Sequence, residues 1–389
     1  MTMNILFLAV DVDMKHDRGD AVHVRELARE LGNGGHRVIL ITGTSPNDAP
    51  QGIRHFTRPD SDPSQVLLGW ELASGWADVI YERRTSPKLS WSISRLTGIP
   101  FVLEINGVLA DERPDGPGER TRRHRPFKYW ARRLMLMAAS RIVAVSAGVR
   151  TDTLSTYGLP TNRIVVVSNG ANLSEFHPQD RRSCRALLGL RLDDRILCFV
   201  GNLAPWQGVD LILRAMKRLI LTDEHVRLIL VGDGPEMGNL RSQAVAMNLT
   251  AFVRFEGNVP HAQVPKYISA SDVCLAPFRH GRKASPIKVF EYMACARPVV
   301  LGGVDALGDF VLNSRAGLVV EPEDVDDFAT AVKRLLSNPS EAHAMGLNGR
   351  RAVESARSWE ATAKGVADVL SVVSAQASQK KHRSPRTPS

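Results

Sequence analysis

The sequence predicts an α/β protein built from two doubly wound, Rossmann-like domains, and three observations predict it. Short apolar runs of strand length alternate with helix-period stretches along the chain. That alternation stops in a polar stretch, Asn172–Arg195, and then restarts. The 389 residues are also more than one hydrophobic core usually supports.

Taken in order, Ile5–Val10 is an apolar run long enough for a buried strand. Ala21–Leu31 has Val24, Leu27, Ala28 and Leu31 at helical spacing, and Asn33-Gly34-Gly35 stops it. Val38–Thr42, Asp78–Tyr81, Phe101–Ile105, Ile142–Val145 and Ile164–Val167 continue the strands, with helical stretches between most of them. The second series opens with Ile196–Val200, which ends in Gly201. Val209–Leu221 is its first helix, and Val226–Val231 ends in Gly232-Asp233-Gly234-Pro235. Phe252–Phe255, Val273–Ala276, Val299–Leu301 and Leu318–Val320 complete it. The expected domains are 1–175 and 176–357, with Asn172–Arg195 as linker. A helix over 358–373 returns to the first domain, because Trp359, Ala363, Val366, Leu370 and Val373 need a surface to cover. Residues 374–389 are expected to be a disordered basic tail. Ligand sites in such domains lie at the carboxyl ends of the strands, and a shared ligand belongs in a cleft between them.

Composition removes several classes. With 43% hydrophobic and 23% charged residues, the chain is not disordered throughout, collagenous or a coiled-coil rod. No apolar run reaches the roughly 20 residues of a membrane-spanning helix. Met1-Thr2-Met3-Asn4 runs straight into a strand and lacks the features of a signal peptide, so a cytoplasmic location is expected. Cys184, Cys198, Cys274 and Cys295 are scattered and read as buried free thiols. Four basic residues of the net charge of +9 fall in the last ten residues. A second cluster runs from Arg120 through Arg122, Arg123, His124, Arg125 and Lys128 to Arg132 and Arg133. No aromatic-interleaved strand or recognition-helix pattern accompanies these charges, so nucleic acid is not an expected partner. No metal-ligand spacing and no G-x-S-x-G elbow is present, so neither metal nor cofactor is expected. Gly232-Asp233-Gly234 looks like a fragment of a dinucleotide fingerprint, but its third glycine falls at Gly238, out of place.

The most informative segment is Ser285-Pro286-Ile287-Lys288-Val289-Phe290-Glu291-Tyr292-Met293-Ala294. Ser285 suits an N-cap and Pro286 the first helical position. The helix start then offers free N–H groups to an anion such as a diphosphate, and Lys288 adds charge in the first turn. Glu291 shares the face of Lys288, where a carboxylate can accept hydrogen bonds from ribose hydroxyls.

With this segment, six others carry a resemblance to the retaining glycosyltransferases of family 4, which have the GT-B fold. They are Gly19 through Leu27, Val145-Ser146, Ser168 through Asn172, Phe199 through Gly208, Val231 through Glu236, and Gly257-Asn258-Val259-Pro260. Arg297-Pro298-Val299-Val300 follows the helical segment in the same way. The resemblance covers nearly the whole chain except the tail. It implies a retaining hexosyltransferase using a nucleotide-diphosphate sugar, a UDP-sugar by preference, with the two domains facing across a cleft. Glu291 resembles the second glutamate of the family's paired-glutamate motif, which holds the donor ribose. Lys288 resembles a basic residue near the diphosphate, and these two are the catalytic candidates. Gly19 and Gly201 resemble glycines that let donor and backbone approach closely. Further donor contacts are implied at Asn202, Gln207, Gly232, Asp233, Val259, Ser285, Pro286 and Ile287.

This sequence departs from the family pattern in three places. The first glutamate of the pair is Lys283. The usual Arg/Lys pair for the diphosphate reads Asn202 and Gln207, leaving Lys288, Lys283, Arg282 and the helix start to meet the charge. The histidine common after the fourth strand is replaced within Glu104-Ile105-Asn106. His23 reads as a core histidine rather than a proton shuttle, and Trp206 suits either stacking on the donor or packing.

On the acceptor side, Asp13, Asp17, Glu104, Asn106 and Asp111 are the candidates, with Glu112 and Asp115 nearby. Such carboxylates favour a cationic acceptor, an aminocyclitol of antibiotic biosynthesis being the preferred example. The alternative acceptor is a lipid-linked sugar in cell-surface polysaccharide assembly. The basic, aromatic stretch Arg120–Ala139 would then provide peripheral membrane contact. A UDP-sugar 2-epimerase is the alternative of another class.

Overall fold

The computed structural model describes residues 2–15, 18–45, 52–59, 62, 64–84, 87–107, 126–279, 286–303 and 306–383, without the side chains of 126 and 380–383. The chain forms two compact units. One takes in residues up to 169 and from 359 onward, the other residues 170 to 358.

The first unit contains β1 (Asn4–Ala9), α1 (Gly19–Asn33), β2 (Arg37–Thr42), β3 (Arg54–Thr57), α2 (Gln65–Ala73), β4 (Val79–Arg83), α3 (Lys88–Thr97), β5 (Phe101–Ile105), α4 (Pro126–Ala138), β6 (Arg141–Ala144), α5 (Ala147–Tyr157) and β7 (Ile164–Val166). The strands are parallel, in the order β3-β2-β1-β4-β5-β6-β7. β3 has no counterpart in the sequence reading. It is an edge strand of Arg-His-Phe-Thr with no buried residue, so it carries no apolar run. Alternate residues of the central strands feed two cores. Leu6, Leu8, Ile80 and Leu103 pack with α2, α3, α4 and α5 on one face. Ile5, Phe7, Val79 and Val102 pack with α1 and the final helix on the other.

The second unit contains α6 (Arg181–Leu187), β8 (Arg195–Val200), α7 (Val209–Leu219), β9 (Val226–Val231), α8 (Met237–Ala246), β10 (Val253–Gly257), α9 (Val264–Ala270), β11 (Val273–Ala276), α10 (Ile287–Ala294), β12 (Val299–Gly302), α11 (Ala306–Asn313), β13 (Gly317–Val320), α12 (Val325–Ser337) and α13 (Pro339–Ala356). Its parallel sheet has the order β10-β9-β8-β11-β12-β13. α7, α8 and α12 cover one face, and α9, α10, α11 and α13 the other. Both orders reverse direction once, as a doubly wound α/β sheet does.

The stretch Asn172–Arg195 is not a loose linker. Phe176 and Arg185 are buried in the second unit, and the Arg185 guanidinium donates to the carbonyls of Ala270, Leu192 and Asp194 and to Asp272. Asn172, Arg185 and Asp194 are its buried polar residues, and sequence polarity does not distinguish them from its solvated ones. The final helix, α14 (Trp359–Arg383), places Ala363, Val366, Leu370 and Val373 in the first unit's core. It runs on past Val373 to Arg383, through good helix formers such as Ala375, Gln376 and Ala377, so the expected disorder from 374 does not hold over that range. Residues 384–389 lie outside the described residues. All four cysteines are free and buried. No helix among the described residues is long and apolar enough to cross a membrane.

Candidate active site

In the second unit two strand ends and one helix start converge. β8 ends at Gly201, whose φ of 134° suits glycine. A Cβ there would stand 3.1 Å from Lys288 Nζ. Gly232, after β9, has φ 126°, and a Cβ on it would come within 2.1 Å of the Gly201 carbonyl oxygen. A Cβ on Gly234 would meet Asn202 Oδ1 at 2.3 Å. Gly232 and Gly234 therefore let two strand ends close on each other. Gly238 lies inside α8 with open space around it, so the partial fingerprint is a packing corner rather than a dinucleotide turn.

α10 begins at Ile287, not at Pro286. Pro286 takes an extended ψ of 116° and flanks the helix as its cap residue. Ser285, the expected cap, lies outside the described residues, as do Arg282 and Lys283. All eight residues of α10 are buried. Lys288 donates to Gln207 Oε1 at 2.6 Å, and its Nζ lies 3.9 Å from the Phe199 ring centroid and 5.2 Å from that of Phe278. Burial drives the Lys288 amine well below the usual lysine range, partly offset by the Glu291 charge. The glutamine standing where the family has a basic residue thus holds Lys288, the one lysine at this corner among the described residues.

Glu291 is 5% exposed, and its side-chain hydrogen bond among the described residues joins Oε1 to His261 Nε2 at 3.0 Å. His261 Nδ1 is 3.7 Å from Glu175 Oε2, and the ring leans on Phe176. His261 escaped the sequence reading by one position, since the recognised segment stops at Pro260. Val259 is half-buried and packs on the core beneath the site, as does Trp206, which accounts for the tryptophan by packing. Asn202 and Asp233 are exposed at the strand ends. Among the described residues no group of His, Cys, Asp or Glu is arranged to hold a metal ion.

In the first unit Gly19 is the first residue of α1, with nothing near a notional Cβ. Glu104, at the end of β5, is not an exposed entrance carboxylate. It is 1% exposed, and His23 Nε2 lies 3.0 Å from both its oxygens. Tyr81 Oη donates to Oε2 at 2.5 Å, Asn106 Nδ2 donates to Oε1 at 3.0 Å, and Arg83 Nε is 3.5 Å away. Burial alone would raise its pKa, but His23, Arg83 and Tyr81 together outweigh burial and hold it at about 2. The carboxylate and Asn106 are thereby committed to each other. His23 is a core residue, its ring edge-on to Trp359 at 5.1 Å. Asp13 is half-buried and accepts from Thr44 Oγ1 at 2.6 Å and from the Lys15 N–H at 3.1 Å. Asp17, Asp111, Glu112 and Asp115 lie outside the described residues.

Two parallel-sheet units, one with a glycine-lined, lysine-bearing corner at its strand ends, define a class of two-unit doubly wound α/β proteins. Residues 18–175 match the family described as Glycosyltransferase Family 4, and residues 194–338 match Glycosyl transferases group 1. D-inositol 3-phosphate glycosyltransferase 2 of Catenulispora acidiphila is 32% identical over 91% of this chain and 90% of its own length. The D-inositol 3-phosphate glycosyltransferase of Streptosporangium roseum is 27% identical over 90% of this chain and 88% of its own. Two solved structures share the fold: sucrose-phosphate synthase from Thermosynechococcus elongatus (TM-score 0.77, 22% identity, 96% of this chain, 100% of that one) and Anabaena HepE in complex with UDP (TM-score 0.75, 19% identity, 95% and 100%). The chain belongs to the family-4 glycosyltransferases, of GT-B fold, which removes the epimerase alternative.

Proposed function

We propose that the chain is a retaining glycosyltransferase that moves a hexosyl or amino-hexosyl group from a UDP-sugar to a hydroxyl of a cyclitol or sugar acceptor. The observation that carries the donor half is the corner formed by Gly201, Lys288 and the start of α10. There a buried amine, held by Gln207 in the first turn of a helix, stands beside the backbone of a left-handed glycine. Such a corner suits a diphosphate whose charge grows as the glycosidic bond breaks. Lys288 meets that charge, and Glu291 accepts hydrogen bonds from the ribose. Gly201, Asn202, Gln207, Gly232, Asp233, Val259, Pro286 and Ile287 complete the donor surface. The reading assigns no protein nucleophile. Retention then proceeds on the front face, with the leaving phosphate taking the proton of the acceptor hydroxyl.

The names of the relatives support a cyclitol or polyol acceptor. An amine on the acceptor is no part of the proposal, because Glu104 and Asn106 are engaged in a buried network and Asp13 is tied to Thr44. The test is a screen of purified protein against UDP-sugars and acceptor pools, read by mass spectrometry. UDP release that depends on acceptor, with a product of retained anomeric configuration, is expected. Turnover by Lys288→Ala and Glu291→Ala at the wild-type rate would sink the site assignment.

A further inference from the structure

The outer side of the first unit's helical layer carries a chemistry that the transfer reaction does not use. α2, α3 and α4 lie together on one face of the seven-stranded sheet, each with an inward side in the same core: Ala73 from α2, Leu89 and Ile93 from α3, Tyr129 and Leu136 from α4. Their outward sides are apolar as well. Leu67 and Trp70 are exposed on α2, and Trp91 and Leu96 on α3. On α4 the exposed residues are Phe127, at 83%, Trp130 and Leu134. The spacing of three and four residues sets these last in a single stripe. Trp70, Trp91, Phe127 and Trp130 are all the exposed large aromatics among the described residues.

The charge on this layer is nearly all of one sign. α3 and α4 contain Lys88, Arg95, Lys128, Arg132 and Arg133 and no acid, and Glu71 of α2 is the only acidic residue on the three helices. Two guanidiniums lie over the rings themselves, Arg95 at 5.9 Å from Trp91 and Arg133 at 5.5 Å from Trp130. A helix usually turns charged residues of both signs to water and apolar residues to the core. A patch of aromatics interleaved with cations, gathered from three helices, departs from that rule.

We propose that this face docks on the surface of an anionic lipid bilayer. Tryptophan rings, apolar apart from one N–H, settle in the headgroup layer, and Phe127 and Leu134 bury just below it. The exposed Lys88, Arg95 and Lys128 beside them meet lipid phosphates, each adding about a factor of five to the affinity, whereas Arg133 is held by the carbonyls of Tyr157 and Gly158. Contact is peripheral, since no described helix is fit to span the membrane. The inference does not rest on the donor-site reading, whose residues belong to the other unit.

The test uses the full chain and vesicles of phosphatidylcholine with or without phosphatidylglycerol. Cosedimentation with the anionic vesicles, weakening as salt rises, is expected, together with quenching of tryptophan emission by lipids brominated in the acyl chain. Phe127→Ser combined with Trp130→Ser and Leu134→Ser should lower binding by roughly tenfold or more. Lys88→Gln combined with Arg95→Gln and Lys128→Gln should lower it roughly a hundredfold on anionic vesicles only. UDP affinity and circular dichroism verify folding of each variant. The quenching measurement on the unaltered chain needs no variant and stands if one fails to fold. No sedimentation and no quenching at low salt would overturn the proposal, as would binding that survives both triple variants. So would self-association, or a complex with another protein, that the aromatic variant abolishes while vesicles leave the chain in solution.

Discussion

His261 Nε2 and Glu291 Oε1 stand 3.0 Å apart, joining the turn after β10 to the buried face of α10. The bond engages one carboxylate oxygen, and in the proposed complex the other accepts from the ribose. Glu291→Ala should weaken UDP binding by roughly 1–3 kcal/mol, the cost of losing a hydrogen bond to a charged group. His261→Ala should weaken UDP less, and should leave 2′,3′-dideoxy-UDP nearly unaffected, because that analogue offers Glu291 no hydroxyl. Calorimetric titration of both ligands decides it. Equal losses for the two nucleotides would make His261 a general structural prop.

Lys288 is buried, and burial lowers its pKa, so the free site favours the neutral amine more than water does. An arriving diphosphate reverses that preference. Binding should therefore take up protons and tighten as pH falls. Titrations at about pH 8, where the phosphates are ionised, in two buffers of different ionisation enthalpy measure the uptake. Lys288→Met should abolish it; uptake unchanged in that variant would remove Lys288 from the diphosphate.

Two buried glutamates on neighbouring strands should respond to pH with opposite sign. Burial raises Glu82 to about 7, and its Oε1 has no hydrogen-bond partner among the described residues. The unfolded carboxyl ionises from about 4.5, so this group destabilises the fold increasingly as pH rises from there to about 7. Glu82→Gln should thus stabilise above pH 7, by about 3 kcal/mol at most, and do nothing in acid. Glu104, held at about 2, contributes stability above 4.5 that is lost as pH falls toward 2. Glu104→Gln should cost about 3 kcal/mol near neutrality, with the deficit closing in acid. Urea unfolding across pH checks both; matching signs would contradict the two assignments.

Gly170 lies against the backbone of Arg357 and Ser358, beside a bridge between Ala171 and Ser358. A Cβ would come within 2.3 Å of the Ser358 carbonyl carbon. Gly170→Ala should destabilise by roughly 1–3 kcal/mol, read as a lowered melting temperature. An unchanged melting point would mean the two segments separate freely.

The periodicity of the apolar residues determined by itself that this chain is α/β, that it has two strand series, and where nearly every strand lies. Strand and helix patterns are local, so a stretch such as Val226–Val231 declares itself without reference to the rest. β3 did not, because an edge strand need not be apolar. Neither did the role of Asn172–Arg195, because buried and solvated polar groups have the same letters. The motif Ser285–Ala294 pointed to Lys288 and Glu291, but their partners were illegible. Gln207 is 81 residues from Lys288 and His261 is 30 from Glu291, and no local signal links them. Glu104 was expected at a strand end facing the acceptor, but His23, 81 residues away, and Tyr81 enclose it, for the same reason. Hydrophobic pattern sets which elements form; only the folded chain decides which charges meet, because burial and pairing depend on residues that sequence keeps far apart.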